Sequence, residues 1–118
     1  MKLNIVKDLL GARLLTGESD ERLARFDIHS ACGSDLMSDV LAFVKDQGLL
    51  LTGLVNPQVI RTAEMMDVVA ICFVRGKTPD ESVLALARER GMPILTTRYP
   101  LFIACGRLYN GGLTCGEE

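Results

Sequence analysis

The chain has no run of like charge, no long apolar stretch, no closely spaced cysteine pair and only one histidine, and each absence removes a class of function. With 13 basic and 15 acidic residues the formal net charge is -2, so overall charge gives no pull toward nucleic acid or an anionic membrane surface. No apolar stretch approaches the ~18 residues needed to cross a bilayer. Residues 1–8 are charged and helix-like and lack the uninterrupted apolar core of a signal peptide. Cys32, Cys72, Cys105 and Cys115 are far apart and form no Cys-x-x-Cys pair, so a zinc or iron–sulfur centre has no spacing to stand on. Cys72 lies inside an apolar run, where a thiol is usually a small buried hydrophobe. The expectation is a cytoplasmic protein with reduced thiols, no metal, no cofactor, no nucleic-acid partner and no membrane association.

What is there suits one domain of 118 residues, nearly half of them apolar. Its core is expected over about 4–109, with the glycine-rich tail 110–118 frayed. The chain is organised around residues 34–57. Leu36, Val40 and Val44 recur every four residues with Met37 and Leu41 beside them, so this segment predicts an amphipathic helix capped at Gly33 or Ser34. Leu49, Leu50 and Leu51 follow without alternation, as in a strand covered on both faces. Asn56-Pro57 opens the next helix with a cap and a proline at the first position, and Val59, Ile60 and Ala63 form its inner face.

The flanking segments extend the pattern. Asn4 is expected to cap a helix to Leu10 with Ile5, Val6, Leu9 and Leu10 inside, ended by Gly11. Residues 12–16 and 26–32 read as strands around a polar loop, 17–25. The β-branched run 68–74 is the strongest strand and is expected to be central. Thr78-Pro79-Asp80-Glu81 has the capping-box pattern, with Val83, Leu84, Leu86 and Ala87 inward and Gly91 closing the helix. Residues 92–96 form a short strand in which Pro93 favours an early or edge position. A last helix over 99–108 starts through Pro100. The order of strands and helices predicts an α/β fold: a single domain with a mostly parallel sheet, helices packed on it, and a right-handed βαβ unit joining 68–74 to 94–95.

In such a sheet ligands sit beyond the carboxyl ends of the strands. Three pieces fall there: Ser34 and Asp35 with Ser38 and Asp39, Thr52 with Asn56, and Thr97 with Arg98. Helix amino termini could hold a small anion, with Arg98 pairing to it. The plainer reading makes Ser34, Asn56 and Thr78 caps alone. Asp35 and Asp39 are four apart, so on a helix they share a face, either binding a cation, sharing a proton or standing solvated. His29 could serve an enzyme, or lie in the core or at its rim. Gly76-Lys77-Thr78 lacks the glycine that a phosphate-binding loop requires at position 71, where isoleucine stands.

These residues resemble the DRTGG-domain family. The likeness rests on Leu9-Leu10-Gly11 and Leu14-Leu15-Thr16-Gly17, on Ser34-Asp35-Leu36-Met37-Ser38-Asp39-Val40, on Asn56 with Val59, on the strand 68–74, on Pro79-Asp80-Glu81, and on Gly91-Met92-Pro93-Ile94-Leu95. It covers about residues 6–108. It implies an α/β domain like the amino-terminal domain of HPr kinase/phosphorylase, with regulatory or dimer-forming roles in larger proteins and no assigned activity. The Asp-Arg-Thr-Gly-Gly string itself does not occur here, so no function marked by it carries over. The phosphate loop of the kinase belongs to a different domain. The leading expectation is a non-catalytic regulatory or protein-interaction module, homodimeric, with a protein partner possible. The alternatives are a sensor of a small anionic ligand such as a nucleotide, and a small enzyme using His29 or the Asp35/Asp39 pair.

Overall fold

In the computed structural model, which describes residues 1–45 and 47–116, the elements run α1 (Leu3–Leu10), β1 (Arg13–Leu14), α2 (Asp20–Leu23), β2 (Ser30–Gly33), α3 (Met37–Phe43), β3 (Gly48–Thr52), α4 (Pro57–Met65), β4 (Ala70–Phe73), α5 (Glu81–Glu89), β5 (Ile94–Thr96) and α6 (Leu101–Asn110). The five strands form one sheet in the order β1-β5-β4-β3-β2. β2 through β5 are parallel neighbours, and β1 joins β5 antiparallel with Arg13 opposite Thr96.

The leucine run explains the layering. Successive side chains of a strand point to opposite faces, so Leu49 and Leu51 enter one core with Ala70, Cys72 and Leu95. Leu50 enters the other with Ile71, Phe73 and Ile94. α1 and α6 close the first face through Leu3, Val6, Leu10, Ala104 and Leu108. On the second, α3, α4 and α5 contribute Val40, Val59, Ile60, Ala63, Val83 and Ala87. A strand buried on both sides has no solvent face to mark with polar residues, which is why β3 and β4 show no alternation. β4 lies at the middle of the sheet, as its β-branched composition predicts.

Both strand and helix boundaries differ from expectation: β1 covers only Arg13–Leu14 and β2 starts at Ser30, four residues after the expected start at Phe26. Asn56 caps α4 by accepting from the Val59 N–H at 3.3 Å, with Pro57 first in the helix. Gly11 ends α1 at φ +54°, in the left-handed region that glycine enters without steric cost. The other caps differ from expectation. α1 begins one residue before Asn4, at Leu3, and Ile5 points outward at 46% exposure. Thr78 is not a cap: α5 starts at Glu81, and Asp80 accepts from the Val83 N–H at 3.2 Å. α3 starts at Met37, leaving Gly33 at the end of β2 and Ser34 and Asp35 in the loop before the helix. Leu36 and Leu41 are therefore exposed, and the helix buries only Val40, with Val44 just beyond it.

Two further differences have simple causes. The loop 17–25 contains α2, held by Ser19 accepting from the Arg22 N–H at 3.1 Å. β5 is internal, because the short β1 covers its other side, and Pro93 stands just ahead of its first residue Ile94, the early position and not the edge one. The stretch expected to fray is docked as far as it is described. Leu113 is buried and the Thr114 carbonyl accepts from the Ala31 N–H at 2.9 Å along the edge of β2. Residues 117 and 118 of that expectation lie outside the described residues.

The caps give a direct check. Replacing Asn56 by Ala should cost about 1 kcal/mol in chemical denaturation, and Thr78→Ala should leave stability almost unchanged. Asp80→Ala should destabilise, and the loss should depend on pH. Hydrogen bonds from the Ser82 hydroxyl and the Val83 N–H hold the Asp80 carboxyl below its usual range. Its contribution is present above the unfolded carboxylate pKa and disappears as pH falls through the folded value, so wild type and variant should converge in acid.

Candidate functional site

The parallel strands end side by side at Gly33, Thr52, Phe73 and Thr96, and the loops that leave them are tied to one another. Asp35 turns back over β3, where its Oδ1 accepts from the Thr52 hydroxyl at 3.2 Å and the Gly53 N–H at 2.5 Å. Thr52 Oγ1 in turn accepts from the Leu54 N–H at 3.1 Å. The Lys77 ammonium donates to the Gly53 carbonyl at 3.0 Å, and the Lys77 carbonyl accepts from the Thr96 hydroxyl at 2.7 Å. Gly76 N–H donates to the Thr97 carbonyl at 2.7 Å. Thr97 Oγ1 donates to the Leu10 carbonyl at 2.7 Å and accepts from the Tyr99 N–H at 3.3 Å. One network thus crosses all four strand ends.

This geometry sorts the residues expected from sequence. Asp35 and Thr52 meet directly. Asp35 precedes α3, so it shares no helical face with Asp39, and Ser38 and Asp39 stand exposed on the first turn of that helix. Ser34 folds back on its own loop, its hydroxyl accepting from the Leu36 N–H at 3.0 Å. Asn56 is occupied as a cap. Thr97 is buried against α1, while Arg98 beside it is exposed. β4 separates the Asp35–Thr52 group from Thr97 and Arg98, a gap of about 10 Å at the usual strand spacing. His29 precedes β2, at the opposite edge of the sheet, with Nε2 3.4 Å from Asp27 Oδ2 and a largely exposed ring. It is a rim histidine.

Thr97 and Arg98 take part in a polar hollow together with residues not expected from sequence. Gly11, Arg13, Gly76, Thr96, Thr97 and Arg98 line a space of about 320 Å³. A smaller one of about 60 Å³ shares Gly11, Thr97 and Arg98 and adds Leu10 and Tyr99. Arg75 and Gly76 both take positive φ, +60° and +68°, forming the tight turn that brings bare backbone to the rim. Among the described residues, the guanidinium groups of Arg13 and Arg98 have no hydrogen-bond or ion-pair partner. Arg13 was missed because it reaches this place only through the antiparallel pairing of β1 with β5, a contact across some eighty positions that no local pattern announces. The Arg75-Gly76 turn was the one signal in the sequence.

The thiols are differently placed. Burial pushes Cys72 up to about 12 and also raises Cys32 and Cys105. Cys105 sits over Gly33 so closely that a Cβ there would lie 2.5 Å from its sulfur. Among the described residues no group of three or more His, Cys, Asp or Glu side chains gathers for a metal ion, and no helix is long and apolar enough to cross a membrane.

No protein-family model and no curated protein matches the chain. Among solved structures it is similar to the CBS and DRTGG domains of the regulatory region of a Clostridium perfringens pyrophosphatase, a structure determined with the activator diadenosine tetraphosphate. The TM-score is 0.73 at 19% identity, over 98% of this chain and 48% of that one. The chain thus spans about half the length of that structure. At this identity the likeness concerns fold, and it supports the DRTGG-like architecture.

Thiol chemistry tests this placement. With a thiol-specific reagent on the native protein, exposed Cys115 should label first, Cys32 and Cys105 slowly, and Cys72 only on unfolding. Gly33→Ala should destabilise by roughly 1–3 kcal/mol through overpacking, and much of that loss should be recovered in the Gly33→Ala, Cys105→Ala double variant.

Proposed function

We propose that this chain is a cytoplasmic, non-catalytic regulatory domain of the DRTGG type. The carrying observation is the state of the polar groups at the strand ends. Asp35, Thr52, Thr96 and Thr97 are engaged in tying loops together, and His29 lies at the other edge of the sheet. Catalysis by a nucleophile and a base needs such groups within reach of each other and of a substrate. The fold shared with the regulatory region of the pyrophosphatase supports the same reading.

Regulation here acts through association of two copies. Phe102 is 85% exposed, and Phe102, Gly106 and Tyr109 follow one another at four- and three-residue spacing, forming one outward stripe on α6. Above Gly106 there is open space, so a second helix could approach closely. Ile5 on α1, the helix packed against α6, is a further exposed apolar residue. A second reading, sensing of a small anionic ligand such as a nucleotide, is favoured by the two unpartnered arginines over one hollow. Both readings belong to a regulatory domain and are compatible.

Phe102→Asp tests the association. Because the side chain is almost fully exposed, the variant should keep its fold and monomeric stability. Light scattering after size-exclusion chromatography should show a dimer for wild type and a monomer for the variant. A wild-type monomer at all concentrations would overturn the homodimer.

A further inference from the structure

We propose that the hollow between Arg13 and Arg98 is an oxyanion site for the phosphate group of a small phosphorylated metabolite. This deepens the ligand-sensing reading and rests on it. Arg13 stands opposite Thr96 in the β1–β5 register, which puts both side chains on the same face of the sheet. Arg98 follows two residues later, so two arginines line one space. A guanidinium presents its donors as a planar fork that matches two oxygens of a phosphate, and it stays charged at every physiological pH.

Three features turn this from a pair of surface arginines into a site. Among the described residues neither guanidinium has a partner, and the Arg98 backbone N–H has no acceptor, so donors of two kinds are left unused at one place. Gly11 and Gly76 line the same space with backbone alone, where no side chain bars close approach of a ligand. Arg13 and Arg98 thus place two cationic side chains at one hollow in a chain of net charge -2. A local concentration of positive charge steers anions to it.

The size of the space selects among anions. At about 320 Å³ it exceeds what a bare phosphate fills. The adjoining hollow offers the half-buried Tyr99 as an apolar wall for the organic part of an ester. A phosphate monoester fits this better than inorganic phosphate.

The test is calorimetric titration of the full chain with inorganic phosphate, ribose 5-phosphate and adenosine monophosphate, alongside amide NMR spectra. At least one ester should bind saturably and more tightly than inorganic phosphate, and the Arg98 amide should shift on binding. Arg13→Ala and Arg98→Ala should each weaken binding by about tenfold or more, while Arg61→Ala, a control on the exposed face of α4, should not. Arg98→Lys should fall between, keeping the charge and losing the fork. All three side chains are exposed, so the variants should melt as wild type does without ligand. Ester binding that is indifferent to both arginines would overturn this site and leave ligand sensing standing. Absence of binding by every probe would overturn the site and the sensing reading together.

Discussion

Everything in this molecule depends on a strand that has no solvent face. Each residue of β3 from Gly48 to Thr52 is buried, because helices cover the sheet on both sides. Fully burying a leucine is worth roughly 1.5–3 kcal/mol, and Leu49, Leu50 and Leu51 divide that gain between two cores. Covering both faces fixes the rest. The helices must cross over between parallel strands, so the strands point the same way and their carboxyl ends line up at one edge. Short loops at that edge then hold Asp35, Thr52, Lys77 and Thr97 in a common network.

That network explains why the edge suits a regulator. Its acid and hydroxyl groups serve to hold loops in register, and this leaves donors without acceptors at one corner. Arg13 and Arg98 stand there over exposed backbone, ready for a group that brings oxygens. An anion at that corner would touch the end of α1, the start of β1, the turn after β4 and the loop after β5 together. Through α1 it would also reach the helix that packs against α6, where Phe102 and Tyr109 stand exposed. The proposed anion site and the proposed association surface thus lie on packed elements, through which one could bias the other.

The fold was legible wherever a segment carried its own reason. The Leu49–Leu51 run, the β-branched strand 68–74 and Asn56-Pro57 state burial, centrality and a cap within a few residues. Helix starts were less legible where several candidates crowd together. Thr78, Asp80 and the Ser34-Asp35 pair can all accept from an N–H, and tertiary contacts choose between them: Asp35 is drawn to Gly53, which holds it out of α3. The arginine corner was half legible. Arg98 follows its strand directly, so its place at the strand end is readable locally, whereas the place of Arg13 depends on β1 pairing across the chain with β5.

Native mass spectrometry of the freshly purified protein, followed by the same sample denatured, tests the regulatory account most directly, because it reads assembly and retained small molecules at once. The account predicts a dimer, with any retained molecule released on denaturation at unchanged mass and still unchanged after long incubation with the native protein. A bare monomer, or a retained molecule steadily converted to product, would contradict it.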